Sequence, residues 1–230
     1  MLQDLGFSYL PSQFAYKRKS GEFTQRISIT LSHDNSQYDI KFWSSFNVDS
    51  PQYNAWRKER GMERSVGHLG GTGYWNIPGW RADGTHSTSF DFSVPAQRPY
   101  VIQDWLSGCL HAGIPYLELL SSWSGLGEDL LRLRRDWGRA ADFFLIAEMP
   151  DRVVAVLEAG IDALRARDFS ISEHTHAILA NKKRREAAER DGEIATYLER
   201  IKTITANKSV DATARSPLVE PTSTSPTHHL

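Results

Sequence analysis

Between residues 23 and 32 the apolar side chains keep to odd positions, Phe23, Ile27, Ile29 and Leu31, while Thr24, Arg26, Ser28 and Thr30 hold even ones. Between residues 38 and 48 the parity reverses: Tyr38, Ile40, Phe42, Phe46 and Val48 are apolar, and Asp39, Lys41 and Ser45 are polar. A period of two predicts strands with one buried face, because successive side chains leave opposite sides of a strand. His33-Asp34-Asn35-Ser36 separates the two runs and supplies turn chemistry, which predicts a hairpin. Residues 14–19 precede the pair across the turn Ser20-Gly21, and residues 87–94 add a fourth strand with Phe90, Phe92 and Val94 on one face. The outcome is an antiparallel sheet of about four strands whose apolar face needs cover.

Helical spacing supplies the cover. Ser50-Pro51 opens a short helix with Tyr53 and Trp56 on one face, ending near Arg60. Pro99 opens a second through Val101, Ile102, Trp105, Leu106 and Cys109, stopped by Gly113; Pro115 opens a third through Leu117, Leu120 and Trp123. Beyond Gly125 and Gly127 only the helix period remains. It runs through Leu130, Leu131, Arg134 and Trp137, then residues 143–146, then Val153, Val154, Leu157, Ile161 and Leu164. Pro150 breaks the second of these runs from the third. Ser170 with Glu173 makes a capping box. Residues 181–191 are nearly all charge and alanine, and Ile194, Leu198 and Ile201 then give a thin apolar stripe, with a bend expected at Gly192. From Thr203 the composition turns to Thr, Ser, Pro and Ala without an aromatic, which predicts disorder to Leu230. The chain reads as α+β: a core domain over residues 1–125 and a helical region over 126–168 packing on it. A long, solvated, charged helix over 169–202 and a disordered tail over 203–230 complete it.

Composition sharpens this division. Of 25 aromatic residues, 20 fall within residues 1–127, so the packed domain and any site belong there. The chain carries 27 Lys and Arg against 28 Asp and Glu, a formal net charge of −1, which argues against a dedicated nucleic-acid binder. Cys109 is the single cysteine, so no intrachain disulfide forms, and the amino terminus shows no signal-peptide pattern. With no apolar run of bilayer length, the expectation is a cytoplasmic protein without a membrane span.

The stretch from Gly67 to Arg81 concentrates the candidate chemistry: glycines at 67, 70, 71, 73 and 79 interleave with Tyr74, Trp75 and Trp80. It is long for a structureless connection, which favours a functional loop. Glycine lets backbone approach a ligand, and Tyr and Trp offer flat apolar contact with a polar handle. His68, Arg81 and His86 add charge or proton transfer, so the candidate binding set is His68, Tyr74, Trp75, Trp80, Arg81 and His86. The alternative is that Trp75 and Trp80 plug the end of the sheet and the glycines only turn the chain. Gly-Gly-Thr-Gly is no phosphate loop, since no Gly-Lys-Ser/Thr follows it. His33-Asp34 reads as a turn former. His174 and His176, two apart, point to opposite sides of a helix and predict no metal site. Cys109 reads as core, and His228 and His229 lie in the expected tail. Lys182-Lys183-Arg184-Arg185 is followed at once by Glu186 and Glu189, the pattern of a solvated helix face.

Leu5-Gly6-Phe7, the meander carrying Phe14, Phe23 and Arg26, and His68-Leu69-Gly70 running into Tyr74-Trp75 resemble an uncharacterised bacterial domain family. Its members are short α/β units that open on Gly-Phe and carry a tryptophan-rich loop after a strand meander. The likeness covers about residues 1–125. Members carry a helix before the Gly-Phe, whereas this chain starts almost on it, which raises a native start upstream of Met1. They also carry two adjacent tryptophans where this chain has Tyr74-Trp75. The resemblance implies the fold and no catalytic residues; by analogy it implies a binding role such as toxin neutralisation. The expected function is therefore a binding protein without a cofactor, its partner another protein, recognised through the aromatic loop at 67–86. The alternative is a small-molecule hydrolase or transferase using His68 or His86 with Asp83 or Asp91.

Overall fold

The computed structural model describes residues 1–36, 38–62, 66–80, 89–166 and 177–214. Within them, six antiparallel strands form one sheet: β1 (Ser8–Leu10), β2 (Ala15–Ser20), β3 (Phe23–Leu31), β4 (Lys41–Asp49), β5 (Gly70–Gly73) and β6 (Phe90–Asp91). Strands β1 to β5 lie side by side in chain order, and β6 pairs with Lys41 and Phe42 on the edge of β4 that β5 leaves open. The expected hairpin is β3–β4, with Ile27 opposite Phe46 and Gln25 opposite Val48. Its alternation holds through the paired middle, where Phe23, Gln25 and Ile27 on β3 and Ser44, Phe46 and Val48 on β4 are buried, but at the turn end Leu31 and Tyr38 are exposed and β4 begins only at Lys41. The strands at positions 8–10 and 70–73 escaped that reading. β1 is too short to show a period, and Gly-Gly-Thr-Gly has almost no side chains with which to show one.

Helices cover one face of the sheet. Ser50 caps α1 (Pro51–Glu59), its hydroxyl accepting from Gln52 N at 3.3 Å. α2 (Arg98–Gly108) does not end at Gly113 as its sequence suggests. A π-turn over Cys109–Gly113 carries the chain directly into α3 (Ile114–Leu120). Proline in a regular helix clashes with the carbonyl four residues back, and a π-turn, with its extra residue, makes room for Pro115. At Gly113 a Cβ would collide with the Phe46 ring, so this rod lies directly on the sheet. Trp105 Nε1 donates to Ser44 Oγ at 2.7 Å. Gln25, the polar residue in the apolar row of β3, donates to Leu117 O and Ser121 Oγ and accepts from Arg18. α4 (Trp123–Arg132) and α5 (Trp137–Ile146) complete the layer, where Tyr53, Trp123 and Phe143 rings meet. The helical run expected through Trp137 is broken between them, with Arg134 and Asp136 in left-handed conformation.

The chain divides into two compact units, Met1–Met149 and Pro150–Leu230. The first contains the whole sheet and α1 to α5. In the second, α6 (Pro150–Arg165) packs against α7 (Ala177–Ala214). α7 passes through Gly192 unbroken and continues beyond Thr203, where the expected tail begins. No helix among the described residues is long and apolar enough to cross a membrane.

Candidate functional site

The aromatic loop separates into two kinds of residue. Tyr74 and Trp80 are 1% and 8% exposed, whereas Trp75 is 44% exposed. Trp80 packs against Phe46 and Tyr74 and lies on Gly108, where a Cβ would stand 2.6 Å from its indole. Tyr74 also meets the Phe90 ring at 4.9 Å between centroids. These two rings belong to the core between sheet and helices. Trp75 lies on the opposite face, over Gly73, where a Cβ would collide with it. Gly73 pairs with Ser45, whose parity on β4 is opposite to that of buried Ser44 and Phe46. Arg81 and His86, with Asp83, lie outside the described residues.

His68 stands apart from those rings. Its Nδ1 is 2.6 Å from Asp49 Oδ1, at the end of β4. A carboxylate only accepts, so Nδ1 donates and Nε2 is the nitrogen left to other groups. Asp91 takes no part: it is the register partner of Lys41, at the other end of β4. There the Ser93 hydroxyl first and the Ser93 N–H second, the latter at 2.8 Å, hold its carboxyl below the ordinary range.

His68 lines a cleft of about 270 Å³. The sheet side is Asn47, His68 and the Gly70-Gly71 backbone; the helix side is the end of α4 and the start of α5. Gly71 has φ +139°, and a Cβ there would run into the Phe46 carbonyl, so only glycine lets this edge approach. On the helix side, Asp129 is 2% exposed; its Oδ2 accepts from Tyr116 OH at 2.9 Å and its Oδ1 from Arg132 Nη2 at 2.7 Å. Burial first, and the Asp129 charge second, push the Tyr116 phenol well above its ordinary range. Asp136 caps α5 through Arg139 N at 3.0 Å and pairs with Arg139 Nη2 at 2.8 Å. Arg135, exposed between the left-handed Arg134 and Asp136, lines the cleft and has no side-chain partner among the described residues. Each left-handed non-glycine residue costs about 1 kcal/mol, so this turn is held against its local preference. With Asp129 and Asp136 offset by Arg132 and Arg139, Arg135 is the uncompensated charge.

The sequence drew attention to His68 and missed its neighbours. Asp49, Arg135 and Arg139 have no part in the periodicity or the motifs and were not among the candidates. The only local signal was the clustering of arginines at 132, 134, 135 and 139. Other candidates keep plain roles. His33 and Asp34 pair at 2.9 Å on an exposed turn. Cys109 is fully buried, which pushes its thiol well up. Lys182 and Arg185 pair with Glu186 and Glu189 along α7. His174 and His176 lie outside the described residues, among which no group of three potential metal ligands gathers. No protein-family model, curated protein or solved structure matches the chain.

Proposed function

We propose that this is a binding protein and that its recognition site is the cleft between β5 and the α4–α5 turn. Its ligand carries an anionic group, carboxylate or phosphate. The observation that carries the reading is Arg135, an unpaired guanidinium facing a cleft whose other wall is glycine backbone. A guanidinium fork and close N–H groups are what such anions need. The glycine loop expected to bind contributes to the cleft through His68, Gly70 and Gly71, while Tyr74 and Trp80 hold the core and Trp75 stands outside the cleft lining. Titration calorimetry with citrate and with inorganic phosphate tests this. Saturable binding of at least one, weakened about tenfold or more in Arg135→Ala, is expected, since a charge-assisted hydrogen bond contributes about 1.5–3 kcal/mol. Absence of binding by both, or equal binding by the variant, contradicts it.

One observation favours a second reading, a hydrolase in which Asp49 orients His68 as general base. Among the described residues no Ser, Thr, Cys or Lys lines the cleft, so water is the nucleophile in this reading. Turnover of p-nitrophenyl acetate or phosphate, lost in both His68→Ala and Asp49→Asn, supports it; turnover unchanged in both contradicts it.

A further inference from the structure

The face of the sheet away from the helices carries three cations on β2 and β3, while the carboxylates that share this face, Asp49 and Asp91, are engaged with His68 and Ser93. Gln25 and Ile27 are buried, so Arg26 between them projects to the other side, and its register partners follow: Lys17 on β2 and Asn47 on β4. Asn47 in turn pairs with Gly71 on β5. One row thus crosses four strands from Lys17 through Arg26 and Asn47 to the cleft, about 15 Å at ordinary strand spacing. Lys19 lies on the same face, opposite Thr24. Like charges directly opposite each other destabilise a sheet, yet Lys17 and Arg26 are so placed. None of the three cations has a carboxylate partner among the described residues. Residues 15–31 hold four cations and a single carboxylate, Glu22, which accepts from Trp123 Nε1. The fourth cation, Arg18, pairs with Glu118 on the helical side.

The same face presents flat aromatic surface. Trp75 rests on Gly73 with one side of its indole, and its 44% exposure leaves much of the ring to solvent. Trp43, two residues before Ser45 on β4, shares this side.

Resting on the anion-binding reading of the cleft, we infer that the anion is the phosphate backbone of a single-stranded nucleic acid lying across this sheet face. Lys17, Arg26 and Lys19 contact phosphates, a base stacks on Trp75, and Arg135 receives the strand where the row enters the cleft. A stacking platform beside a line of cations is the combination that holds single strands without reading their sequence. The chain's near-zero net charge does not oppose this, because the carboxylates on this face stand at Asp49 and Asp91, each already engaged, and not in the row from Lys17 to Asn47. An acidic protein segment would use the cations and leave the indole without a role.

Fluorescence anisotropy with a labelled oligothymidylate of about twelve nucleotides tests the inference on the full chain. Binding in the micromolar range at about 50 mM salt is expected, with a log–log salt slope near −3 for four phosphate contacts, Arg135 included. Lys17→Ala with Arg26→Ala should flatten that slope to about −1.4 without lowering the melting temperature, because an unfavourable pair is removed. Trp75→Ala should weaken binding about fivefold or more at unchanged slope. No binding at low salt overturns the inference, as does equal affinity in all variants. So does a glutamate peptide of the same length binding as tightly as the oligonucleotide. Citrate bound without the oligonucleotide defeats this inference and leaves the cleft reading standing; neither bound defeats both.

Discussion

Trp75 and Trp80 sit five residues apart in one glycine-rich stretch and do opposite things. Trp80 fills the space above Gly108 and touches Phe46, so Trp80→Ala should cost about 3–5 kcal/mol in urea unfolding. Trp75 lies half-exposed over Gly73, and Trp75→Ala should cost about 1 kcal/mol or less. Equal costs would show that the two rings are not divided between core and surface. Nothing in the local sequence separates them, because the partner that makes Trp80 core is a glycine on a distant helix. The same holds for His68: its acidic partner was sought within the loop and lies at Asp49, brought there by the pairing of β4 with β5. Two buried phenols carry a pH signature. Tyr53 OH donates to Asp142 Oδ2 at 3.0 Å and Tyr116 OH to Asp129 Oδ2 at 2.9 Å. Desolvation, then the neighbouring carboxylate, raises both above their ordinary value of 10.0. A raised folded-state value favours the native state below the unfolded value and loses that advantage as pH climbs past it. The melting temperature should therefore fall as pH rises above about 10, and less steeply in Tyr116→Phe. An unchanged profile in that variant would contradict the burial of a protonated phenol.

At the scale of elements, legibility followed side-chain periodicity. β2, β3 and β4, the cap at Ser50 and the break at Pro150 were readable because alternation, capping and proline's missing N–H are local properties. β5 was not, since a strand of glycines has no alternation, and its pairing depends on β4 supplying an edge. The Cys109–Gly113 π-turn was hidden for a related reason: Gly and Pro punctuate helices, and only contact with Phe46 shows why this helix keeps both. α7 offers a direct check. Gly192 lies inside it, and a Cβ there meets nothing within 4 Å. Gly192→Ala should raise helix stability by about 0.5–1 kcal/mol, read as a later loss of the circular-dichroism signal at 222 nm on heating. Loss of helicity in this variant would show that the chain bends there after all.

Across the whole molecule, the division falls at Met149 and Pro150, with all six strands and both walls of the cleft in the first unit. A chain ending at Met149 is expected to melt cooperatively; a broad, non-cooperative transition would contradict its being a self-sufficient core. The aromatic excess in residues 1–127 lies inside that unit, and the charge of those residues is neutral in sum but divided in space. Cations stand on the open sheet face and at the α4–α5 turn, a segregation that total charge conceals. Recognition of an anion at the cleft is best tested by amide and indole correlation spectra of the full chain during addition of citrate or phosphate. Saturable shifts at the Gly70 and Gly71 amides and the Arg135 side chain, with the Trp80 indole unmoved, are predicted. Shifts absent there, or confined to α7, would contradict it.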